Sequence, residues 1–277
     1  MNKIARANLW VADVWKKAAD GWKNRQQDYN YRKFLARPFL ENALNFLDPV
    51  KGGYFVDLGC GDGSEARRIE KYLTGQGYGG KFFGFDFQQS LIEIAKKKNR
   101  KNKSIEMIFD SGKLNELIRK HELQEKGDLI FSTFLLQEIS DAEEYFEFLA
   151  ICLKKGGWGI SLFLHPAFGT AMLEKGAARV QNDLGKSRQW RWAAEYPIVE
   201  ESGKTFYVPY FHREINDYLK LARKYFFEVK VFECQPTKKV IQKCKREQLS
   251  PFYDHPGNVY YPEIIEMPSS MILMTRS

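Results

Sequence analysis

From Asn8 to Leu47 apolar residues recur at helical spacing. Val11, Trp15, Ala18 and Trp22 fall at i, i+4, i+7 and i+11, the stripe of an amphipathic helix, and both tryptophans are read as its packed face. A second helix is predicted from about Tyr31 to Leu47 on Phe34, Leu35, Phe39, Ala43, Leu44 and Leu47, with Pro38 kinking or restarting it. Beyond Pro49 and Gly52-Gly53, short apolar runs alternate with helix-period segments. The runs are Tyr54 to Leu58, Lys81 to Phe85, Ser104 to Phe109, Asp128 to Phe134 and Trp158 to Leu164. Helices are expected near Ser64 to Leu73, Gln88 to Lys98, Lys113 to His121 and Asp141 to Leu153. This alternation is the signature of a doubly wound α/β fold with a mostly parallel sheet, and continuous apolar runs fit strands buried on both faces.

After His165 the rhythm breaks for some 45 residues rich in Gly, Trp and Tyr, with a helical stretch expected near Thr170 to Leu184. So long an interruption inside a domain reads as a functional insertion such as a lid. A helix from about Arg213 to Tyr225, opened by Tyr210-Phe211-His212-Arg213, then leads to strands Phe227 to Glu233 and Met271 to Thr275. These last two lack a clear crossover helix, so they are expected to pair antiparallel. The resulting division is a helical cap segment at 1–48, a ligand-binding core at 49–165, a lid or substrate insertion at 166–211 and the rest of the core sheet at 212–277.

Composition narrows the class. With 277 residues, 44% of them hydrophobic and 28% charged, the chain is globular and large enough for a sizeable core. It has no run of about 18 apolar residues to span a bilayer and no secretory h-region, so a cytoplasmic protein without membrane partners is expected. Cys60, Cys152, Cys234 and Cys244 form no C-x-x-C pair and the four histidines no i, i+4 pair, so no metal is expected. The net charge of +8 comes from two places. Lys96 to Lys103 holds six basic residues and Lys238 to Arg246 five, which leaves the remainder net acidic. The first run sits at a helix C-terminus, where cations are favoured anyway, so nucleic acid is the disfavoured partner.

Strand one runs into Val56-Asp57-Leu58-Gly59-Cys60-Gly61-Asp62-Gly63-Ser64, an acid followed by G-x-G-x-G at a strand-to-helix turn. Glycines there let a ligand lie against bare backbone, and the helix start offers free N–H groups. A dinucleotide fingerprint needs G-x-G-x-x-G, but its third glycine would fall on Ser64. A carboxylate at the loop suits the ammonium and sulfonium of S-adenosyl-L-methionine instead. Asp86 ends strand two, where it can accept from ribose hydroxyls or cap the next helix, and Phe87 can lie along an adenine ring or join the core. Asp110-Ser111 ends strand three with another acid.

With these residues in place the sequence resembles the class I S-adenosylmethionine-dependent methyltransferases, by motif over about residues 54–164 and by element order beyond. The resemblance implies a seven-stranded sheet whose last strand is antiparallel. It also implies S-adenosyl-L-methionine as cofactor, with S-adenosyl-L-homocysteine as product. By that likeness Asp57, Gly59, Cys60, Gly61 and Gly63 hold the methionine end, Asp86 and Phe87 the ribose and adenine, and Asp110 with Ser111 the adenine amino group. Ser132 in strand four passes beside the methionyl moiety, and Tyr29 or Arg32 in the N-terminal segment reaches its carboxylate. Strand four ends Ser132-Thr133-Phe134-Leu135, not in the Asn/Asp-Pro-Pro-aromatic turn of base amino-methylating enzymes, and the catalytic cysteine pair of RNA C5-methylation is not evident.

On the acceptor side, His165 and His212 are candidate general bases because their ordinary pKa lies near neutrality; either can equally be a structural histidine. Glu138 is a candidate for orienting an acceptor hydroxyl or amine, and Trp192, Tyr207 and Tyr210 for lining an apolar acceptor pocket or packing a core of their own. The leading expectation is methyl transfer to oxygen or nitrogen of a small molecule. The alternatives are an RNA or protein methyltransferase docking through the basic runs, and a non-catalytic module that binds S-adenosylmethionine.

Overall fold

The computed structural model describes residues 2–23, 37–48, 51–99, 104–174, 178–199, 202–247, 268 and 270–277. The predicted alternation forms as β1 (Gly53–Leu58), α3 (Ser64–Gly75), β2 (Gly80–Phe85), α4 (Gln89–Lys98), β3 (Ile105–Asp110), α5 (Leu114–His121), β4 (Gly127–Thr133), α6 (Ala142–Cys152) and β5 (Leu153–Leu164). It is preceded by α1 (Lys3–Lys23) and α2 (Arg37–Leu44), with Pro38 in the first turn of α2, where its missing N–H costs nothing.

One sheet has the order β3-β2-β1-β4-β5-β10-β9, with β9 at Glu228–Cys234 and β10 at Ser270–Arg276. β1 pairs in parallel with β2 and β4, while β10 runs antiparallel between β5 and β9. The strand order therefore reverses between β1 and β4. Crevices at such reversals, outside the carboxyl ends of the strands, are where doubly wound sheets bind ligands. Two apolar layers cover the sheet. Phe55, Phe82 and Phe131 pack with Ile69 and Leu73 of α3 on one face, and Val56, Ile130 and Phe163 pack with Phe146 and Leu149 of α6 on the other.

The region after His165 departs from expectation. α7 (Pro166–Glu174) starts earlier and ends well short of Leu184, and β6 (Arg179–Val180) occupies part of the predicted helix. β6 then joins β7 (Trp192–Val199) and β8 (Thr205–His212) in a second, antiparallel sheet. Tyr210, Phe211 and His212 thus end a strand; the helix they were expected to open, α8 (Ile215–Tyr225), begins later. Pro197 and Pro209 break the strand pattern of these segments, since proline cannot donate to a ladder, yet they stand opposite Tyr207 and Glu195 where β7 pairs with β8. On this sheet Phe206 and Val208 pack against Trp15 and Ala18 of α1, so the tryptophan stripe buries as predicted, against a partner the sequence did not reveal. Among the described residues, no helix is long and apolar enough to cross a membrane.

Candidate active site

The loop leaving β1 is fixed from below by β2. Gly59 and Cys60 both donate their backbone N–H to the Phe85 carbonyl, at 2.8 and 3.0 Å, and Gly61 donates to Asp86 Oδ2 at 2.9 Å. Gly59, Gly61 and Gly63 hold φ of 72°, 55° and 74°, the left-handed region that glycine occupies at no steric cost. Space is equally restrictive: a Cβ on Gly59 would lie 3.0 Å from the Leu135 side chain and one on Gly61 3.1 Å from Trp22 Nε1. Asp57 on β1 is wholly buried and does not line the hollows described below. The Cys60 thiol is pushed well up, first by burial and then by Asp57 and Asp86, which keeps it neutral.

Asp86 works as a bridge. Its second oxygen accepts the Gln88 N–H at 2.8 Å, so the carboxylate holds the turn that leads into α4 as well as the loop, without capping the helix itself. Burial raises its carboxyl to about 6, while the N–H donors of Gln88 and Gly61 pull the other way. Phe87 beside it is 49% exposed and lines both hollows described below.

Two hollows open above this loop, the larger about 730 Å³, within the range of small-molecule sites. Both are bounded by Trp15, Gly59, Asp86, Phe87, Leu135 and Glu138. The opposite wall is the segment following β4. There Phe134 takes φ 59°, an uncommon state for an aromatic, locked by its N–H donating to the Leu162 carbonyl at 2.7 Å and its carbonyl accepting from Gln137 Nε2 at 2.6 Å. Such strain at the rim of a cleft is characteristic of functional sites. Asn8, Val11, Ala12 and Trp15 of α1 complete the cover of the larger hollow.

The other predicted site residues are placed as follows. Gly61 and Cys60 line the smaller hollow. Asp110 and Ser111 line neither; Asp110 is drawn to Lys120 Nζ at 2.6 Å and His121 Nε2 at 2.8 Å, and Gly112 to Leu114 reach the larger hollow instead. Ser132 is buried in a hydroxyl chain through Tyr145 to Ser161, at 2.9 and 2.7 Å. Tyr29 and Arg32 lie outside the described residues.

Neither candidate histidine reaches the hollows. His165 Nδ1 accepts the Ala167 N–H at 3.2 Å, which places its proton on Nε2, 3.3 Å from Glu233. His212 lies between Tyr210 and Glu214, each at 3.3 Å, and stacks on Trp192 with ring centres 4.6 Å apart; burial lowers its pKa. Trp192 and Tyr210 belong to this stack, and Tyr207 carries the Arg179 guanidinium 3.8 Å above its ring, so all three serve the second sheet. Trp15, Trp22, Leu135 and Tyr145 were not singled out as site residues. The helical stripe marks Trp15 and Trp22 as core, and they are core on one side and cleft wall on the other.

Residues 49–201 match the family described as "Methyltransferase domain", more than half of the chain. The chain belongs to the class I S-adenosylmethionine-dependent methyltransferases. Among curated proteins no sequence matches it. Among solved structures, the methyltransferase is similar to an S-adenosylmethionine-dependent methyltransferase from Mesorhizobium loti, at 19% identity and TM-score 0.54, covering 85% of this chain and 96% of that one. A chain of the Haloferax volcanii complex between the Trm112 methyltransferase activator and a methyltransferase aligns at 13% identity and TM-score 0.61, over 96% of each chain. Phosphoethanolamine N-methyltransferase 2 of Haemonchus contortus aligns at 15% identity and TM-score 0.51, over 86% of this chain and 52% of that one. At these identities the likeness establishes the fold alone. A left-handed glycine loop, an acceptor carboxylate at the end of β2 and a half-exposed ring beside it fit an adenosine with a free ribose diol.

Proposed function

We propose that this methyltransferase transfers a methyl group to oxygen or nitrogen of a small-molecule acceptor held in the cleft above the glycine loop. The observation that carries the proposal is the character of the larger hollow. Its walls bring Trp15, Leu135 and Tyr145 together with Glu116, Glu138, Asp141 and Glu144 beside Asp86, while among the described residues Lys113 is the one cation that lines it. A polyanionic acceptor meets repulsion there, since phosphate recognition depends on clustered Lys and Arg. The basic run at the end of α4, Lys96 to Lys98, is accounted for by the helix carbonyls it complements.

S-adenosylmethionine supplies an electrophilic methyl group when bound. The chain's own residues do the rest. Asp86 accepts from the ribose hydroxyls while keeping Gly61 in place, and Phe87 covers the adenine. Trp15 and Leu135 exclude water and narrow the approach, which favours the in-line geometry that displacement at carbon requires. Glu138 orients the acceptor's O–H or N–H and takes its proton as the new bond forms; His165 and His212 are committed elsewhere and have no part in this step. α1 and the second sheet act as one cover, a reading supported by the packing of α1 on β8.

The test is transfer of isotopically labelled methyl from S-adenosylmethionine into parallel small-molecule, RNA and protein fractions of a cell extract. Label in the small-molecule fraction is expected. Label confined to RNA or protein overturns the proposal in favour of a docking enzyme.

A further inference from the structure

Arg213 stands just after β8 and is completely buried. A guanidinium taken out of water must find hydrogen-bond partners or destabilise the fold by several kcal/mol. Those it finds are the carbonyls of a single loop. Nη1 donates to the Leu136 carbonyl at 3.2 Å, and Nη2 donates to the carbonyls of Ile139 at 2.7 Å and Ser140 at 3.0 Å. Its charge lies 5.7 Å from the Phe211 ring centre and 5.9 Å from that of Tyr218, a distance at which aromatic faces help to offset lost hydration. The neighbouring backbone reinforces the grip: the Phe211 N–H donates to the Gln137 carbonyl at 2.7 Å.

This loop is the cleft wall that follows β4. It carries Leu135 and Glu138 into both hollows and Ser140 into the larger one, and the Ser140 hydroxyl in turn donates to Asn8 Oδ1 on α1. The fork of Arg213 thus ties carbonyls on both sides of Glu138, which no regular ladder holds.

We propose that Arg213 is a positioning residue for methyl transfer, fixing the loop after β4 in the shape that presents Leu135 and Glu138 to the cleft. The proposal rests on the reading of that cleft as the methyl-transfer site. A planar fork satisfies three carbonyls at fixed angles; a lysine ammonium reaches them only as a point charge on a flexible stem, and a methionine offers no donor.

The experiment compares Arg213→Lys, Arg213→Met and, as a control, Leu149→Ala, a buried substitution in α6 outside the cleft. Amide hydrogen exchange is followed at Leu136 to Ser140, and the affinity for S-adenosylhomocysteine is measured by calorimetry, all well below each variant's melting temperature. The expected result is graded: exchange in the loop rises about tenfold in Arg213→Met and less in Arg213→Lys, the loss expected of hydrogen bonds to a charged group. Affinity for S-adenosylhomocysteine weakens in the same order, and Leu149→Ala changes neither quantity although its melting temperature falls. Unchanged loop exchange and affinity in the arginine variants, or equal changes in Leu149→Ala, overturn the proposal. Should Arg213→Met fail to fold, Arg213→Lys decides by the same criterion. If the unsubstituted protein binds no S-adenosylhomocysteine, the reading of the cleft fails, while loop exchange still reports separately on Arg213.

Discussion

The backbone N–H of Gly61 and the carboxylate of Asp86 meet at 2.9 Å, so the acid at the end of β2 holds the glycine loop at the end of β1. One side chain therefore links the two elements to which the proposal assigns donor binding. Because burial raises the Asp86 carboxyl to about 6, that link responds to pH.

In the proposed site a ribose hydroxyl donates to the ionised carboxylate, so protonation of Asp86 would compete with donor binding. Affinity for S-adenosylmethionine is expected to be flat above about pH 7 and to weaken by up to about tenfold per unit below pH 6. The effect on folding has the opposite sign. The native carboxyl keeps its proton to a higher pH than the unfolded one, so its contribution to stability is full below pH 4 and is lost as pH rises through about 6. Calorimetric titrations at pH 5, 6, 7 and 8 check the binding half, and melting temperatures of the ligand-free protein check the other. A binding curve without pH dependence removes Asp86 from the ribose site.

Gly84 on β2 has no room for a side chain: an added Cβ would lie 2.5 Å from Phe109 Cδ1 and 3.1 Å from Cys60 Sγ. Gly84→Ala is expected to cost about 1–3 kcal/mol through overpacking beneath the loop. The loss should appear as a lower urea midpoint with an unchanged slope, accompanied by weaker donor binding as Cys60 is displaced.

Tyr145 joins Ser132 and Ser161 through its hydroxyl in a wholly buried chain. Burial lifts its pKa to about 12, so it acts as a neutral donor and acceptor at physiological pH. Tyr145→Phe removes the hydroxyl that partners both Ser132 and Ser161 and is expected to cost about 1–3 kcal/mol in denaturant unfolding. Donor affinity should change by no more than about twofold, because phenylalanine keeps the ring in the wall of the larger hollow and only the hydroxyl, turned to Ser132 and Ser161, is lost.

Glu138→Gln is expected to lower methyl transfer by about 100-fold while donor affinity stays within about twofold, the signature of a group that acts on the acceptor. His165→Ala and His212→Ala should leave the pH–rate profile unchanged and show themselves only in melting temperature, since each loses buried hydrogen bonds. Single-turnover rates with labelled donor separate the two outcomes.

Much of the core was legible because buried parallel strands announce themselves as continuous apolar runs and the glycine loop needs residue types that few other features need. Asp86 and Phe87 follow from that frame as strand-end residues. The second sheet was hidden because Pro197 and Pro209 interrupt its strands and its pairing is local to an insertion. The surroundings of the histidines were hidden for a related reason. Neutral pKa makes a histidine a plausible base, but only the fold shows that His165 is spent on Ala167 and Glu233, and His212 on Tyr210 and Glu214. Trp15 and Trp22 illustrate a limit of periodicity, which tells that a stripe is buried and not whether part of it faces a cleft.

The most direct test of the account is the hydrogen-exchange footprint of S-adenosylhomocysteine on the whole protein. Protection is predicted at Gly59 to Gly63, at Asp86 to Gln88 and along Phe134 to Glu138, with the second sheet unchanged except where β8 meets α1. Protection centred on Trp192 to His212, with the glycine loop unaffected, would contradict the assignment of the cleft.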